Sequence, residues 1–505
     1  MRMTKKISNA VVALTLIALV SSLAFAQGGQ SAAGAGQTTK GAVIKGKAPV
    51  SKDVLKVKLP RPEEATLPNG LRVAFIRSTK VPTFTMQMVV LSGGLSDKAD
   101  YRGVASSTAA LLREGTAKRS SKEIAEQVDA VGATLFANSG LSSMISTVSA
   151  SGLVENMDQT IELFADVVRN PTFPQTEVDK YKTRTLAQLQ QQRAIPQFLA
   201  AEQFQRAIYG ASHPAALVAT PTESIQKLTS KDLATFHSTY YRPNNAILAV
   251  VGDLTMKQLM PKIEKAFGDW QKGDVPAVTI PQAPEQSSAR ILLIDRPGSV
   301  QTVLQLGTLG IERTSADYFS VLLADRVLGG GPSGRLFLNL REDKGYTYGA
   351  YSNFSGSRFR GTWGASSEVR TDVTEGAMKE FMFELKRLRD EKVSAEELEN
   401  AKRAIVGSFA LSLDQPQSLL TNIITQKLYN LPADYWDTYP QKVAAITADD
   451  VQRVAQKYID LGHLQVVAVG DAAKAREILA KYGKVEVFDV DGKPVGGSTQ
   501  NEQRK

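Results

Sequence analysis

The chain contains no cysteine, and only three of its 505 residues are histidine: His213, His237 and His463. Without cysteine there is no disulfide, no thiolate zinc site, no iron–sulfur cluster and no cysteine nucleophile. The shortage of histidine also leaves few positions for metal ligands or general bases. Hydrophobic residues make up 43% and charged residues 22% of the chain, which is typical of a globular protein and excludes disorder throughout.

The amino terminus has the three parts of a secretory signal. Three basic residues come first: Arg2, Lys5 and Lys6. An apolar run over residues 10–20 and the small-residue sequence Ala24-Phe25-Ala26 follow. We therefore expect a signal peptide over residues 1–26, cleaved after Ala26, and export to the periplasm of a bacterial cell. An uncleaved membrane anchor is the alternative.

The remaining charge and composition indicate an exported protein that binds no nucleic acid. The net charge of +9 includes the three positive charges of the signal, and no basic block interleaved with aromatics stands out. No later segment approaches the roughly 20 apolar residues of a membrane span, so we expect none in the mature chain. Residues 27–55 and 491–505 have the small and polar composition of a flexible leader and tail.

A long internal repeat divides the rest of the chain into two homologous halves. Two pairs of segments match without gaps at an offset of 218 residues: 228–240 with 446–458, and 246–253 with 464–471. Chance similarity does not hold register over that distance, so we infer duplication. The expected domains are residues 56–272 and 290–490, joined by a linker over residues 273–289 that contains proline and serine.

Each half alternates predicted strand pairs with predicted helix pairs. In the first half, strands over residues 71–77 and 84–91 precede a helix over residues 104–113. Capping boxes at Ser120 and Ser394, each with Glu three residues later, predict helix starts in both halves. The predicted class is α+β, with each half a mainly antiparallel sheet covered on one face by helices.

Several separate blocks resemble the insulinase/pitrilysin-type metallopeptidases, which include the mitochondrial processing peptidase subunits and short bacterial periplasmic forms. Residues 66–73 resemble the entry strand of that family, and residues 103–116 resemble the frame of its first helix. Residues 328–331 and 340–348 closely match its C-terminal signature. The resemblance covers roughly residues 60–475 in order, and it implies a clam-like chamber for peptides.

The catalytic motif of that family is missing. Its inverted zinc motif, H-x-x-E-H, places two histidine ligands on one helical face, with a glutamate as general base. The aligned positions here are Ser106, Ala109 and Ala110. The third ligand of the family, a later glutamate, falls near Ala187 or Gln188. The resemblance therefore implies a chain that binds no metal and has no catalytic residue of its own.

Other catalytic arrangements find little support in the sequence. His213 and His237 are 24 residues apart and His463 lies in the other half, so no two have ligand spacing. Ser106 and Ser107 have neither a nucleophile elbow nor an assignable base. An active hydrolase with unrecognised ligands is the alternative. The glycine-rich run over residues 329–334 lacks the lysine of a phosphate-binding loop, so we expect it to end a helix and turn the chain.

The resemblance carries over one pair of substrate-binding residues, Arg341 and Tyr348, seven positions apart. In the family such a tyrosine can donate a hydrogen bond to the tetrahedral oxyanion, and the arginine can hold peptide carbonyls. Tyr346 is a possible alternative in register. A purely structural interpretation pairs Arg341 with its acidic neighbours and packs Tyr348 in a strand.

Together these observations predict a noncatalytic, zinc-free subunit of a heteromeric periplasmic metallopeptidase. A homologous partner chain would carry zinc and the H-x-x-E-H motif, while this chain would close the peptide chamber and supply Arg341 and Tyr348. The alternative is a homodimeric scaffold that binds peptides or unfolded protein without proteolysis. A neighbouring reading frame that encodes H-x-x-E-H would distinguish the two.

Overall fold

The computed structural model describes residues 53–495. The predicted signal peptide, nearly all of the predicted leader and the last ten residues of the predicted tail lie outside these described residues.

Six strands of the first half form one mixed sheet. They are β1 (Glu63–Thr66), β2 (Arg72–Arg77), β3 (Thr83–Val90), β4 (Thr134–Ser139), β5 (Ser146–Leu153) and β6 (Ala246–Gly252). Their order is β1-β2-β6-β3-β5-β4, and of these neighbouring pairs only β2 and β6 run parallel. Every residue of β6 is buried, as expected for a central strand covered on both faces.

The described part of the first half contains eight α-helices. They are α1 (Val104–Leu111), α2 (Ser121–Ala130), α3 (Met157–Arg169), α4 (Gln175–Arg193), α5 (Pro196–Tyr209), α6 (Thr222–Lys227), α7 (Ser230–Tyr240) and α8 (Met256–Phe267). Capping boxes precede α2, α7 and α8, at Ser120, Thr229 and Thr255. Each such hydroxyl accepts a hydrogen bond from an otherwise unpaired backbone N–H, which stabilises the helix by about 1 kcal/mol.

The second half repeats this architecture. Its strands are β7 (Arg290–Asp295), β8 (Gln301–Leu309), β9 (Thr347–Phe354), β10 (Thr362–Arg370), β11 (Gln465–Gly470) and β12 (Val485–Phe488). Its helices are α9 (Tyr318–Leu328), α10 (Arg335–Phe337), α11 (Thr374–Asp390), α12 (Ala395–Ser412), α13 (Pro416–Leu428), α14 (Tyr439–Ala444), α15 (Ala448–Tyr458) and α16 (Ala472–Ala480). A π-helical turn, Leu338–Asp343, joins α10 to β9.

The two sheets confirm the predicted α+β class and the two homologous halves. The second sheet has the order β12-β7-β11-β8-β10-β9, so five of its strands repeat the positions of β2, β6, β3, β5 and β4. The sixth position differs, because the antiparallel β1 comes from the start of the first half and the parallel β12 from the end of the second. Capping boxes at Thr229 and Thr447 also repeat at the offset of 218.

Helices of both halves cover each sheet, which extends the prediction of a single covered face. Helix α5, from the first half, packs on β7, β8 and β11 of the second sheet. Helix α13, from the second half, packs on β3 and β6 of the first sheet. Large apolar side chains such as Phe204 and Leu420 are buried in these contacts, each contributing about 1.5–3 kcal/mol. The halves therefore share their cores.

Candidate functional site

Helix α1, which aligns with the zinc helix of the resembled family, is held at its amino terminus by Asp97. The Asp97 carboxylate accepts hydrogen bonds from the backbone N–H groups of Gly103 (2.6 Å) and Ala105 (2.9 Å). Gly103 supplies the left-handed turn before the helix, with φ of 94°. Burial raises the pKa of Asp97 to about 6, although these hydrogen bonds act in the opposite direction.

Helices α1 and α4 lie against each other, but their facing positions do not fit a zinc ion. The Ser107 hydroxyl donates a hydrogen bond to the Tyr181 hydroxyl (3.2 Å), and this contact joins the two helices. Ala109 is buried in the core, whereas Ala187 and Gln188 are exposed. Alanine has no metal-binding atom, and zinc requires about three strong nitrogen, sulfur or carboxylate ligands.

Among residues 53–495, no three histidine, aspartate or glutamate side chains come together in a group that could hold a metal ion. The α1–α4 pair therefore lacks the histidine and carboxylate ligands of the zinc motif within the described residues. The described residues also include no helix long and apolar enough to cross a membrane.

Each histidine is used by its local structure. The His213 ring accepts a hydrogen bond from the Ala215 N–H at Nδ1 (3.0 Å), and His463 Nδ1 lies 2.6 Å from an Asp460 carboxylate oxygen. His237 Nε2 lies 2.8 Å from the carbonyl oxygen of Val168. Burial lowers the pKa of His237 to about 4, so its ring is neutral at pH 7 and its Nε2–H donates to that carbonyl. The three imidazoles are thus separate structural groups.

The glycine-rich run closes a turn against the edge of the second sheet. Helix α9 ends at Leu328, and the Ser352 N–H of β9 donates a hydrogen bond to the Gly329 carbonyl oxygen (3.0 Å). A Cβ atom on Gly329 would lie 2.5 Å from the Ser352 nitrogen, so only glycine permits this approach. The run then leads into Arg335, whose guanidinium pairs with Glu397 at 2.8 Å.

The structure separates the two tyrosines that the sequence left as alternatives. Tyr348 lies on β9, the edge strand, and is 90% exposed. Tyr346 is partly buried and packs against the core of the second half. Its ring lies beside Gly376, where a Cβ atom would come within 2.8 Å of the Tyr346 hydroxyl oxygen. Of these two, Tyr348 is the exposed one.

Arg341 lies in the π-helical turn just before Tyr348. Its guanidinium carbon is 4.7 Å from the centre of the Phe337 ring, a cation–π contact, and its ion pair with Glu342 is long at 3.5 Å. The Arg341 side chain is 45% exposed. Sequence reasoning missed Phe337, although an aromatic residue four positions before an arginine on one helical turn is a usable signal.

Comparison with known families identifies the family of this chain. The sequence pattern of the family described as "Insulinase (Peptidase family M16)" matches residues 72–222. The pattern described as "Peptidase M16 inactive domain" matches residues 227–405. The chain belongs to the M16 peptidase family. The resemblance seen in the sequence is thereby confirmed. Arg341 and Tyr348 lie within the segment that matches the inactive-domain pattern.

Individual relatives align with most of the chain. "Uncharacterized zinc protease YmxG" of Bacillus subtilis is 24% identical over 360 residues, covering 70% of this chain and 85% of that protein. Mitochondrial-processing peptidase subunit beta of Rattus norvegicus is 25% identical and covers 79% of this chain and 83% of that protein. The crystal structure of a "peptidase M16 inactive domain" from Pseudomonas fluorescens has a TM-score of 0.75 and 28% identity, covering 81% of this chain and 98% of that chain.

Proposed function

We propose that this chain is the zinc-free subunit of a heteromeric periplasmic zinc metallopeptidase. A homologous M16 partner would carry the zinc and the H-x-x-E-H motif. This chain would close the peptide chamber and place Arg341 and Tyr348 beside the partner's active site. The substrate would be a peptide or a segment of unfolded protein.

The contrast between the two halves carries this proposal. In the first half, α1 and α4 keep their contact through Ser107 and Tyr181, yet the aligned ligand positions carry neither histidine nor a carboxylate. In the second half, Tyr348 is almost fully exposed on an edge strand. A chain that has lost one set of groups while presenting the other is suited to complete a site on another molecule.

The proposed chemistry of the pair follows from their donors. A tyrosine hydroxyl can donate a hydrogen bond to the oxyanion that develops on the scissile carbonyl, where charge appears only during reaction. A guanidinium can donate several charge-assisted hydrogen bonds to peptide carbonyls and so hold the substrate in register. Tyr348 would thus act on turnover, and Arg341 on substrate binding.

Two further observations support the setting. The relatives include a subunit of a processing peptidase, which is consistent with division of labour between homologous chains. The basic, apolar and small-residue segments at the amino terminus support export to the periplasm.

The test is purification of this chain from its native host under mild conditions, with partner identification and metal analysis. We expect a second M16 chain with H-x-x-E-H, with zinc on that chain and none on this one. Recovery as a homodimer without zinc or peptidase activity would contradict the proposal and favour the scaffold alternative. One tightly bound zinc per chain, with chelator-sensitive activity of this chain alone, would contradict both.

A further inference from the structure

The edge strand β9 carries an irregularity at Tyr348. The pairing register with β10 shifts between Thr347 and Ala350. As a result, Tyr348 and Gly349 lie opposite Glu368 alone. Two residues opposite one constitute a β-bulge, a feature that redirects side chains and often adjoins functional sites.

Two hydroxyl groups hold this bulge closed. The Thr347 hydroxyl donates a hydrogen bond to the Glu368 carbonyl (2.6 Å) and accepts one from the Gly349 N–H (3.1 Å). The Ser367 hydroxyl donates to the Gly349 carbonyl (2.9 Å). The two hydroxyl oxygens are themselves 2.9 Å apart. These bonds pair backbone groups that the shifted ladder leaves unpaired, so the bulge is fixed by side chains on both strands.

The bulge explains the exposure of Tyr348. Side chains alternate along a strand, so a regular β9 would place Tyr348 on the same face as Ala350 and Ser352. Those two residues are 0% and 6% exposed, whereas Tyr348 is 90% exposed. The extra residue therefore turns the Tyr348 ring out of the buried series.

The same bulge also supports Arg341 through a chain of contacts. Tyr351 lies over Gly349 so closely that a Cβ atom there would meet its ring at 2.6 Å. The Tyr351 ring is 5.5 Å from the Phe337 ring, centre to centre. The Phe337 ring in turn carries the Arg341 guanidinium at 4.7 Å. Gly349, Tyr351 and Phe337 thus connect the backbone at Tyr348 to the side chain of Arg341.

We infer that Thr347 and Gly349 are positioning residues that set Tyr348 and Arg341 in place for the peptide substrate. This inference rests on the proposed function, because it assigns to the bulge the placement of the two groups offered to the partner's site. Thr347 acts on Tyr348 through its hydroxyl. Gly349 acts on Arg341 by leaving room for the Tyr351 ring.

The first test compares Thr347→Val with Thr347→Ser in the complex purified with its zinc-bearing partner, using quencher-labelled casein as the probe substrate. Thr347→Val removes the hydroxyl but keeps the side-chain shape, and should lower kcat by roughly tenfold or more, because misplacement of a reacting group by about 1 Å is costly. Thr347→Ser should restore turnover. Ser355→Ala is the matched control, since Ser355 pairs with Thr362 at the other end of the same strand pair.

A double substitution separates positioning from general stability. If Thr347 acts through Tyr348, adding Thr347→Val to Tyr348→Phe should lower kcat little further. Gly349→Ala should instead raise KM several-fold, because Tyr351 and then Arg341 must shift. Hydrogen exchange at the Gly349 amide, read by mass spectrometry on the chain alone, should become faster in Thr347→Val and stay slow in Thr347→Ser.

The outcomes distinguish this inference from the proposed function. Wild-type turnover of a folded, assembled Tyr348→Phe complex contradicts the proposed function, and the inference with it. If Tyr348→Phe lowers turnover but Thr347→Val leaves it at the level of the Ser355→Ala control, the positioning role of Thr347 is wrong while the proposed function stands. If hydrogen exchange at the Gly349 amide is the same in Thr347→Val as in the wild type, the Thr347 hydroxyl does not hold the bulge. If the effects of Thr347→Val and Tyr348→Phe on kcat are fully additive, Thr347 does not act through Tyr348.

Discussion

At the scale of single residues, the three positions that align with the zinc motif differ in burial. Ala109 is buried against the core of the first half, while Ala110, the next residue, faces solvent. Ser106, about one helical turn before them, is half-buried. A carboxylate at 109 would be buried, which is costly unless a cation pairs with it.

The first prediction concerns restoration of the motif. Replacing Ser106 and Ala110 by His and Ala109 by Glu should give at most weak zinc binding, because Ala187 and Gln188 supply no third protein ligand. The metal-free variant should also melt at a lower temperature than the wild type. Zinc titration and thermal melts check both effects, with Gln188→Glu added as the matched variant that should tighten binding. A robust peptidase from the three changes alone would show that our assignment of the helix pair is wrong.

The second prediction concerns pH and His237. Burial lowers the pKa of His237 to about 4, below its ordinary value of 6.5. The unfolded chain therefore takes up this proton at higher pH than the folded chain, so the free energy of unfolding falls as the pH drops from about 6.5 to about 4. His237→Gln keeps an N–H donor for the Val168 carbonyl and cannot titrate in this range.

Urea unfolding at pH 7 and pH 5 measures this effect. Between these values the wild type should lose about 2 kcal/mol more than His237→Gln, from the shift of its pKa. Equal losses in the two proteins would mean that His237 is not buried in its neutral form.

At the scale of elements, local signals determined most boundaries. The predicted strand over residues 71–77 and the predicted helix over residues 104–113 are observed as Arg72–Arg77 and Val104–Leu111. Capping boxes and alternating apolar residues are local, so the sequence alone shows them. The bulge at Tyr348 was not predicted, because it depends on hydroxyl contacts between two strands that only the fold brings together.

The third prediction tests an element that joins the halves. Leu420 lies on α13 and is fully buried in the core shared with the first sheet. Leu420→Ala should lower the free energy of unfolding by about 2–5 kcal/mol, through lost burial and the cavity left behind. Leu411→Ala is the matched control, because Leu411 is 78% exposed on α12, and it should change stability by less than about 0.5 kcal/mol. Similar effects of the two changes would contradict the packing of α13.

At the scale of the whole molecule, the duplication could be predicted from the sequence. The exchange of helices, in which α5 and α13 each pack on the sheet of the other half, could not. The offset of 218 residues and the family blocks identified two halves and their common architecture. Both exchanged helices begin with proline after an extended residue, Ile195 or Gln415. The proline in both halves indicates a change of chain direction, but the sheet that each helix then covers depends on tertiary packing.

The fourth prediction follows from the exchange. Residues 53–272 and 290–495, expressed separately, should each be insoluble or aggregated, because each sheet loses the helix that covers its second face. Co-expression should yield a stable one-to-one complex on size-exclusion chromatography. Two soluble monomers with no affinity for each other would contradict the shared cores.

The central claim is that this chain completes a partner's active site through Tyr348. The most direct measurement is the turnover of the purified complex carrying Tyr348→Phe, which removes one hydroxyl and keeps the ring. We predict a loss of roughly a hundredfold in kcat, about 3 kcal/mol of transition-state stabilisation, with the zinc content and the melting temperature of the complex unchanged. Wild-type turnover from a folded, assembled Tyr348→Phe complex would contradict the account.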